Sequence, residues 1–219
     1  VNTQKGFHMD ENKKMEMRDV SRLLEESYVS GSGNAAAGQK GGQDSLKDAR
    51  GNVREEISYP GLEEIGEDPA ALKIIAPAYA GGEGELTAVL QYIYQHIIFE
   101  NSGYPEYADA LLKISLEEMK HLGILGSLIC KLGAPPVYSY LPPYPINYYC
   151  ARSVSYSKTP QKMILDDIQG EQYAIDSYGK MLCRLKDERV AAVIQRIRMD
   201  EEKHLAEFKR ILKELTEGK

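Results

Sequence analysis

Over most of the second half of the chain, apolar residues recur at helical spacing. Val190, Val193, Ile194, Ile197, Glu201, His204, Phe208, Ile211 and Leu215 fall on one stripe of an amphipathic helix, interrupted by two polar residues. Leu111, Ile114, Glu118, His121, Leu125, Leu128 and Leu132 repeat the arrangement, so Glu118 and His121 stand where leucines belong. Ile164, Ile168, Glu171, Ile175, Tyr178, Leu182 and Leu185 form a third stripe, and Glu85, Ala88, Val89, Tyr92 and Phe99 a less regular fourth. Stop signals divide these stripes. Asn101, Ser102 and Gly103 follow the earliest, and Gly133 with Pro135 and Pro136 follows the next, a glycine then prolines as helix C-termini prefer.

The pattern predicts an all-α chain. A short helix α1 covers about 68–79, with Asp68 as N-cap and Pro69 in the first position, and a glycine-rich break follows. Four longer helices come next: α2 over about 84–100, α3 over 106–132, α4 from the Thr159 cap and Pro160 to about 186–187, and α5 over most of the rest to about 215. The α2–α3 and α4–α5 connections are a few residues long, which predicts two antiparallel hairpins. About 26 residues, 133–158, separate the hairpins and carry six tyrosines and five prolines. Such a long connection suits a four-helix bundle with one crossover.

Ahead of the helices, 9–28 has the charge and spacing of a short helix, whereas 31–51 is rich in Gly, Ala, Gln and Ser and buries too little apolar surface to offset its ordering entropy. The expected organisation is a flexible arm over 1–56 and one bundle domain over 57–219, in keeping with 219 residues in total.

The two hairpins also match each other in sequence. Gly84 and Glu85 with Ala88, Val89 and Tyr92 are answered by Gly170 and Glu171 with Ala174, Ile175 and Tyr178, and Lys120-His121-Leu122 by Lys203-His204-Leu205. Glu85 and Glu118 lie about 18 and 15 residues from the middle of their turn, some 22 to 27 Å at roughly 1.5 Å per residue. Glu171 and Glu201 stand about 16 and 14 residues from theirs, so four carboxylates can share one layer. Burying them in an apolar layer costs several kcal/mol per uncompensated ion, and the stripes offer no Lys or Arg to pair them. Two divalent cations supply the charge. Oxygen and imidazole donors suit iron and manganese alike, and Glu-x-x-His puts both groups on one helix face.

Glu85, Glu118-Met119-Lys120-His121, Glu171 and Glu201-Glu202-Lys203-His204 together resemble the di-metal carboxylate signature of the ferritin-like superfamily, which includes bacterioferritins, rubrerythrins and, more distantly, manganese catalases. The resemblance covers roughly residues 82–215. It implies a ferritin-like four-helix bundle holding two Fe or two Mn ions, with Glu118 and Glu201 bridging, Glu85 and His121 completing one position and Glu171 and His204 the other. It also implies a homo-oligomer. Two features depart from the family pattern: no rubredoxin-type cysteine module is present, and the tyrosine-rich crossover is longer than a plain ferritin needs.

Other candidates carry weaker signals. Tyr92 and Tyr178 lie two turns beyond a terminal glutamate, where each either packs in the core or hydrogen-bonds a ligand carboxylate; with Glu118 and Glu201 they are the candidates for the catalytic machinery. Asp167, one turn before Glu171, is an alternative ligand. His96 lacks the ligand spacing and is expected to pack, His8 belongs to the arm, and Glu83, Glu117 and Glu202 fall off the stripes on an expected solvated face. The crossover tyrosines are expected to cover apolar surface or subunit contacts.

Charge and composition narrow the function classes. The net charge of −6 is spread in alternating signs, which excludes the basic stripe that nucleic acid requires. Cys130, Cys150 and Cys183 show no CxxC spacing and read as reduced thiols. No signal-peptide pattern and no membrane-length apolar run is visible, so a cytoplasmic protein is expected. The expected activity is a di-metal oxidoreductase acting on dioxygen or hydrogen peroxide, of peroxidase, catalase or ferroxidase type. The alternative is a non-catalytic metal-binding or iron-storage protein.

Overall fold

The structure, a computed structural model, describes residues 53–139 and 147–217. The chain divides into two units, Val1–Lys47 and Asp48–Lys219, and all described residues belong to the second. The expected helix over 9–28, the glycine-rich stretch 31–51 and most of the expected arm lie outside the described residues.

Among the described residues there are five α-helices: α1 Pro69–Ala80, α2 Glu85–Asn101, α3 Pro105–Lys131, α4 Pro160–Leu182 and α5 Glu188–Glu217. No strand occurs among the described residues, only an isolated antiparallel bridge between Ser139 and Tyr148. Asp68 caps α1, its side chain accepting from the N–H groups of Ala70 and Ala71. Gly133, at φ 100°, ends α3 in the left-handed region that glycine alone enters freely. Two boundaries differ from the sequence reading. Thr159 occupies the N-cap of α4 without a side-chain bond, and α4 stops at Leu182, because Asp187 turns back to accept from the Arg189 and Val190 N–H groups and so opens α5.

The helices pair as two hairpins, α2 with α3 and α4 with α5. Two apolar clusters fill the bundle. One gathers α1 with Leu122, Leu125, Leu128 and Leu132 of α3, Tyr178 and Met181 of α4, and Val190 to Ile197 of α5. The other gathers Tyr92 and Phe99 of α2, Leu111 and Ile114 of α3, Met163 and Ile164 of α4, and Phe208 and Ile211 of α5. Along α3 and α5 the change of cluster falls at the Glu-x-x-His residues, so a polar layer separates the two. Helix α3 ends in the first cluster and α4 begins in the second, so the crossover has to run the length of the bundle. It is held as it goes: Tyr138 stacks on Tyr79, Thr87 Oγ1 donates to Tyr149 Oη, the Ser155 N–H donates to Gln91 Oε1, and Tyr156 meets Tyr94 edge-on.

In the duplicated halves, Glu171 sits in mid-helix while Glu85 is the first residue of α2. The bundle position that a single long helix would occupy is shared: α1 starts against the end of α3, the Asp68 N–H donating to Leu132 O, and α2 continues past a break at 81–84. Glycine is required in that break. A Cβ on Gly81 would lie 2.3 Å from Pro77 O and one on Gly84 2.5 Å from Ala78 O.

The extended chain before α1 packs on both clusters, through Val53 on one and Tyr59, Leu62 and Ile65 on the other. Residues 53–56, which composition places in the arm, are therefore joined to the bundle: the Glu55 N–H donates to Asp200 and Arg196 donates to Glu55 O.

Candidate metal centre

Six polar residues meet in the layer between the clusters, each contributed by a stripe whose other positions are apolar. Glu85, Glu118, His121, Glu171, Glu201 and His204 are all buried, the two histidines completely. They form two overlapping groups. One donor atom from each of Glu85, Glu118, His121 and Glu201 lies within 4.8 Å of the others, and the same holds for Glu118, Glu171, Glu201 and His204. Glu118 and Glu201 belong to both.

Both imidazoles turn Nδ1 inward. His121 Nδ1 lies 3.1 Å from Glu118 Oε2, 3.1 Å from Glu201 Oε1 and 3.6 Å from Glu85 Oε2. His204 Nδ1 lies 2.8 Å from Glu118 Oε1, 3.3 Å from Glu201 Oε2 and 3.7 Å from Glu171 Oε1. Each tyrosine serves the opposite half: Tyr92 Oη donates to Glu171 Oε1 at 2.7 Å and Tyr178 Oη donates to Glu85 Oε1. Both hydroxyls are pushed up by burial and by the carboxylates they face, so they remain donors.

Electrostatics alternate around the ring. Burial and the Glu118 and Glu201 charges hold the Glu85 carboxyl well above the usual range, and burial with the same two neighbours does so for Glu171. Burial also pushes Glu118 and Glu201 up, but the His204 imidazolium beside Glu118, and His121 beside Glu201, bring both below it. Burial depresses the imidazoles, yet Glu201 facing His121 lifts it well above its normal value and Glu118 facing His204 lifts it to about 10. Protons thus neutralise a ring of acids that cannot all ionise together.

The donor set fits a pair of divalent cations. Glu118 Oε1 and Glu201 Oε1 are fully buried and accept no aligned hydrogen bond among the described residues, although each lies beside an imidazole nitrogen. Four carboxylates and two imidazoles are the oxygen and nitrogen donors that iron and manganese accept. A polar cavity of about 620 Å³ opens from this floor to the surface between α2 and α4, with Gly84, Gly170 and the crossover serines Ser153, Ser155 and Ser157 in its walls.

Asp167 and Glu117 stand where the sequence reading does not place them. Asp167 is not in the ring: Gln91 and Gln95 donate to its Oδ1, both at 2.8 Å. Glu117, expected on a solvated face, is buried and bonded by Lys120, whereas Glu83 and Glu202 are exposed, as expected of them. His96 Nδ1 lies 2.9 Å from Ala108 O, away from the centre. One buried cation does exist, Arg196, but Asp200 and the carbonyls of Glu55 and Ile57 engage it. Sequence reasoning missed Asp200, whose Oδ2 lies 3.2 Å from His121 Nε2. Its signals were adjacency to Glu201 and the i, i+4 spacing from Arg196.

Fold and site define a helical-bundle protein with a buried carboxylate and histidine centre of two-metal type. The ferritin-like domain family matches residues 83–217, and the chain belongs to that family. No curated protein matches it in sequence. Among solved structures, it is similar to KatB, a manganese catalase from Anabaena, at 21% identity and TM-score 0.64, covering 74% of this chain and 80% of that one. It is also similar to the bacterioferritin of Desulfovibrio desulfuricans, at 23% identity and TM-score 0.57, covering 68% and 81% of the two chains. The Mycobacterium tuberculosis bacterioferritin BfrA gives 21% identity and TM-score 0.59, covering 69% and 89%. At these identities the likeness is one of fold.

Proposed function

We propose that the protein is a di-metal oxidoreductase that reacts with dioxygen or hydrogen peroxide, its two ions being iron or manganese. The observation that carries this reading is a buried pair of donor groups sharing Glu118 and Glu201 at the floor of a surface-open polar cavity. The neighbours named as a manganese catalase and as bacterioferritins, one with a diiron site, are compatible with it.

In this reading Glu85 and His121 would hold one ion and Glu171 and His204 the other, with Glu118 and Glu201, which belong to both donor groups, serving each. When bound, two one-electron metals supply a two-electron exchange with an oxygen species, with positions left open beside six protein ligands. The chain's own residues do the rest. Tyr92 Oη and Tyr178 Oη fix the carboxylates of Glu171 and Glu85 by hydrogen bonds, which keeps each aimed at the centre. Metal entry requires Glu85 and Glu171 to release their protons and each imidazole to clear Nδ1. Apolar clusters above and below keep water to the cavity side.

The test is to load metal-free protein with Mn²⁺ or Fe²⁺ and follow peroxide consumption and ferrous oxidation. Turnover with either metal is expected, and Glu118→Ala and Glu201→Ala should each lose one or both ions by elemental analysis. Fully loaded protein that is inactive with both metals, while still binding them, would point to storage or carriage instead.

A further inference from the structure

The two halves of the centre are not held alike. His121 turns Nε2 toward Asp200 Oδ2 at 3.2 Å, whereas His204 Nε2 is buried and has no hydrogen-bond partner among the described residues. Asp200 in turn is a hub built largely from the chain ahead of α1. The Glu55 N–H donates to its Oδ1 at 2.6 Å, Arg196 Nη1 lies 2.7 Å from the same oxygen, and Tyr59 Oη donates to Oδ2. Arg196 also donates to the carbonyls of Ile57 and Glu55, and its guanidinium carbon stands 4.3 Å from the centre of the Tyr59 ring. The Tyr59 ring meets His121 edge-on at 6.3 Å between centroids.

The duplicated half lacks this arrangement. The position matching Asp200, one residue before the shared glutamate, is Glu117. Lys120 Nζ donates to its Oε1 at 2.7 Å, and its Oε2 is buried without a partner among the described residues.

Tautomer chemistry gives the asymmetry a consequence. An imidazole that offers Nδ1 to a cation carries its proton on Nε2. For His121 that N–H finds the Asp200 carboxylate, which fixes the ring plane and raises the basicity of Nδ1. For His204 the same N–H is buried with no acceptor among the described residues, which penalises the ligating tautomer.

We propose that residues 53–59 form a strap that locks Asp200 onto His121, with Tyr59 as a positioning residue, so that the Glu85–His121 position is preformed, fills first and holds its ion more tightly. The Glu171–His204 position fills second and releases first. This inference rests on the two-metal reading above.

The experiment titrates the metal-free full chain with Mn²⁺, by calorimetry and by electron paramagnetic resonance. Two steps are expected, with the spectrum of an isolated ion at one equivalent giving way to that of a coupled pair at two. Asp200→Asn should weaken the first step by about 10- to 100-fold, the usual effect of losing a partner of a ligating histidine. Tyr59→Phe removes one hydroxyl from the strap and keeps the ring, and should weaken the same step in the same sense. The second step should stay within about twofold in both variants, and the isolated-ion spectrum at one equivalent should fade as the steps merge. Urea unfolding of each metal-free variant establishes that it is folded. Two equal steps in the wild type, a first step unmoved by both variants, or both steps weakened alike overturn the inference and leave the two-metal reading intact. A wild-type chain that takes up no metal overturns both.

Discussion

At the scale of single residues, Asp167 isolates the cost of burying a carboxyl outside the metal ring. It is completely buried, and burial pushes it up to about 8 even though the Gln91 and Gln95 amides both donate to Oδ1. Oδ2 has no partner among the described residues. The folded-state value is raised above the reference of 3.8, so the contribution of the protonated form is fully present below about pH 4 and is lost as pH rises to about 8. Asp167→Asn removes that dependence and keeps an acceptor for the two amides. Urea unfolding should show the variant gaining on the wild type, by on the order of 1 kcal/mol per pH unit, between about pH 5 and pH 8. A gap that stays constant over this window would show that Asp167 is already ionised in the fold.

At the scale of elements, α1 and α3 approach each other closely at Gly126. A Cβ on Gly126 would lie 3.2 Å from the Tyr79 ring, while one on Gly123, a turn earlier on the exposed side of the same helix, would meet nothing within 4 Å. Helix propensity favours replacing both glycines, and packing forbids it at one. Gly123→Ala should stabilise by up to about 1 kcal/mol. Gly126→Val should destabilise by about 1 to 3 kcal/mol, because the added methyls push Tyr79 and α1 off α3. Denaturant midpoints of the two variants, read against the wild type, check both signs. The same close contact explains why α1 can stand in for the missing length of α2: it lies deep enough to bury Ile75 and Ala80 completely. That arrangement places the start of α2 at the metal layer, beside the mouth of the cavity.

For the molecule as a whole, the metal layer is the seam between two otherwise separate apolar clusters. Without ions this seam is held by protons on Glu85, Glu171 and the two imidazoles. Ions that bind only the folded chain stabilise it by mass action, about 2.7 kcal/mol for one site at a hundredfold excess over Kd. Loading Mn²⁺ or Fe²⁺ should therefore raise Tm by on the order of 5 to 10 °C, and a chelator should reverse the shift. An unchanged Tm at full occupancy would mean that the seam is equally well satisfied by protons. No helix of the described residues is long and apolar enough to cross a membrane.

The helices and the six polar residues on their buried faces were legible in the chain itself, because helical periodicity is local: Glu118 and His121, or Glu201 and His204, declare their common face through spacing alone. Stop signals located the two hairpins for the same reason, although the last turn of α4 was overextended where the Asp187 side chain opens α5. What the spacing could not supply was anything that depends on distant segments meeting. Asp200 reads as one more charge on a charged helix until Glu55, 145 residues earlier, and Tyr59, 141 residues earlier, close on it. Gln91, Asp167 and Ser155 likewise acquire their roles only when the crossover lies down between α2 and α4. The sequence by itself determined that Glu85, Glu118, His121, Glu171, Glu201 and His204 would share a buried layer, since burial of a stripe follows the period of the helix. The tertiary structure alone decided which of them gained a partner, since a hydrogen bond needs two atoms in place and periodicity positions only one.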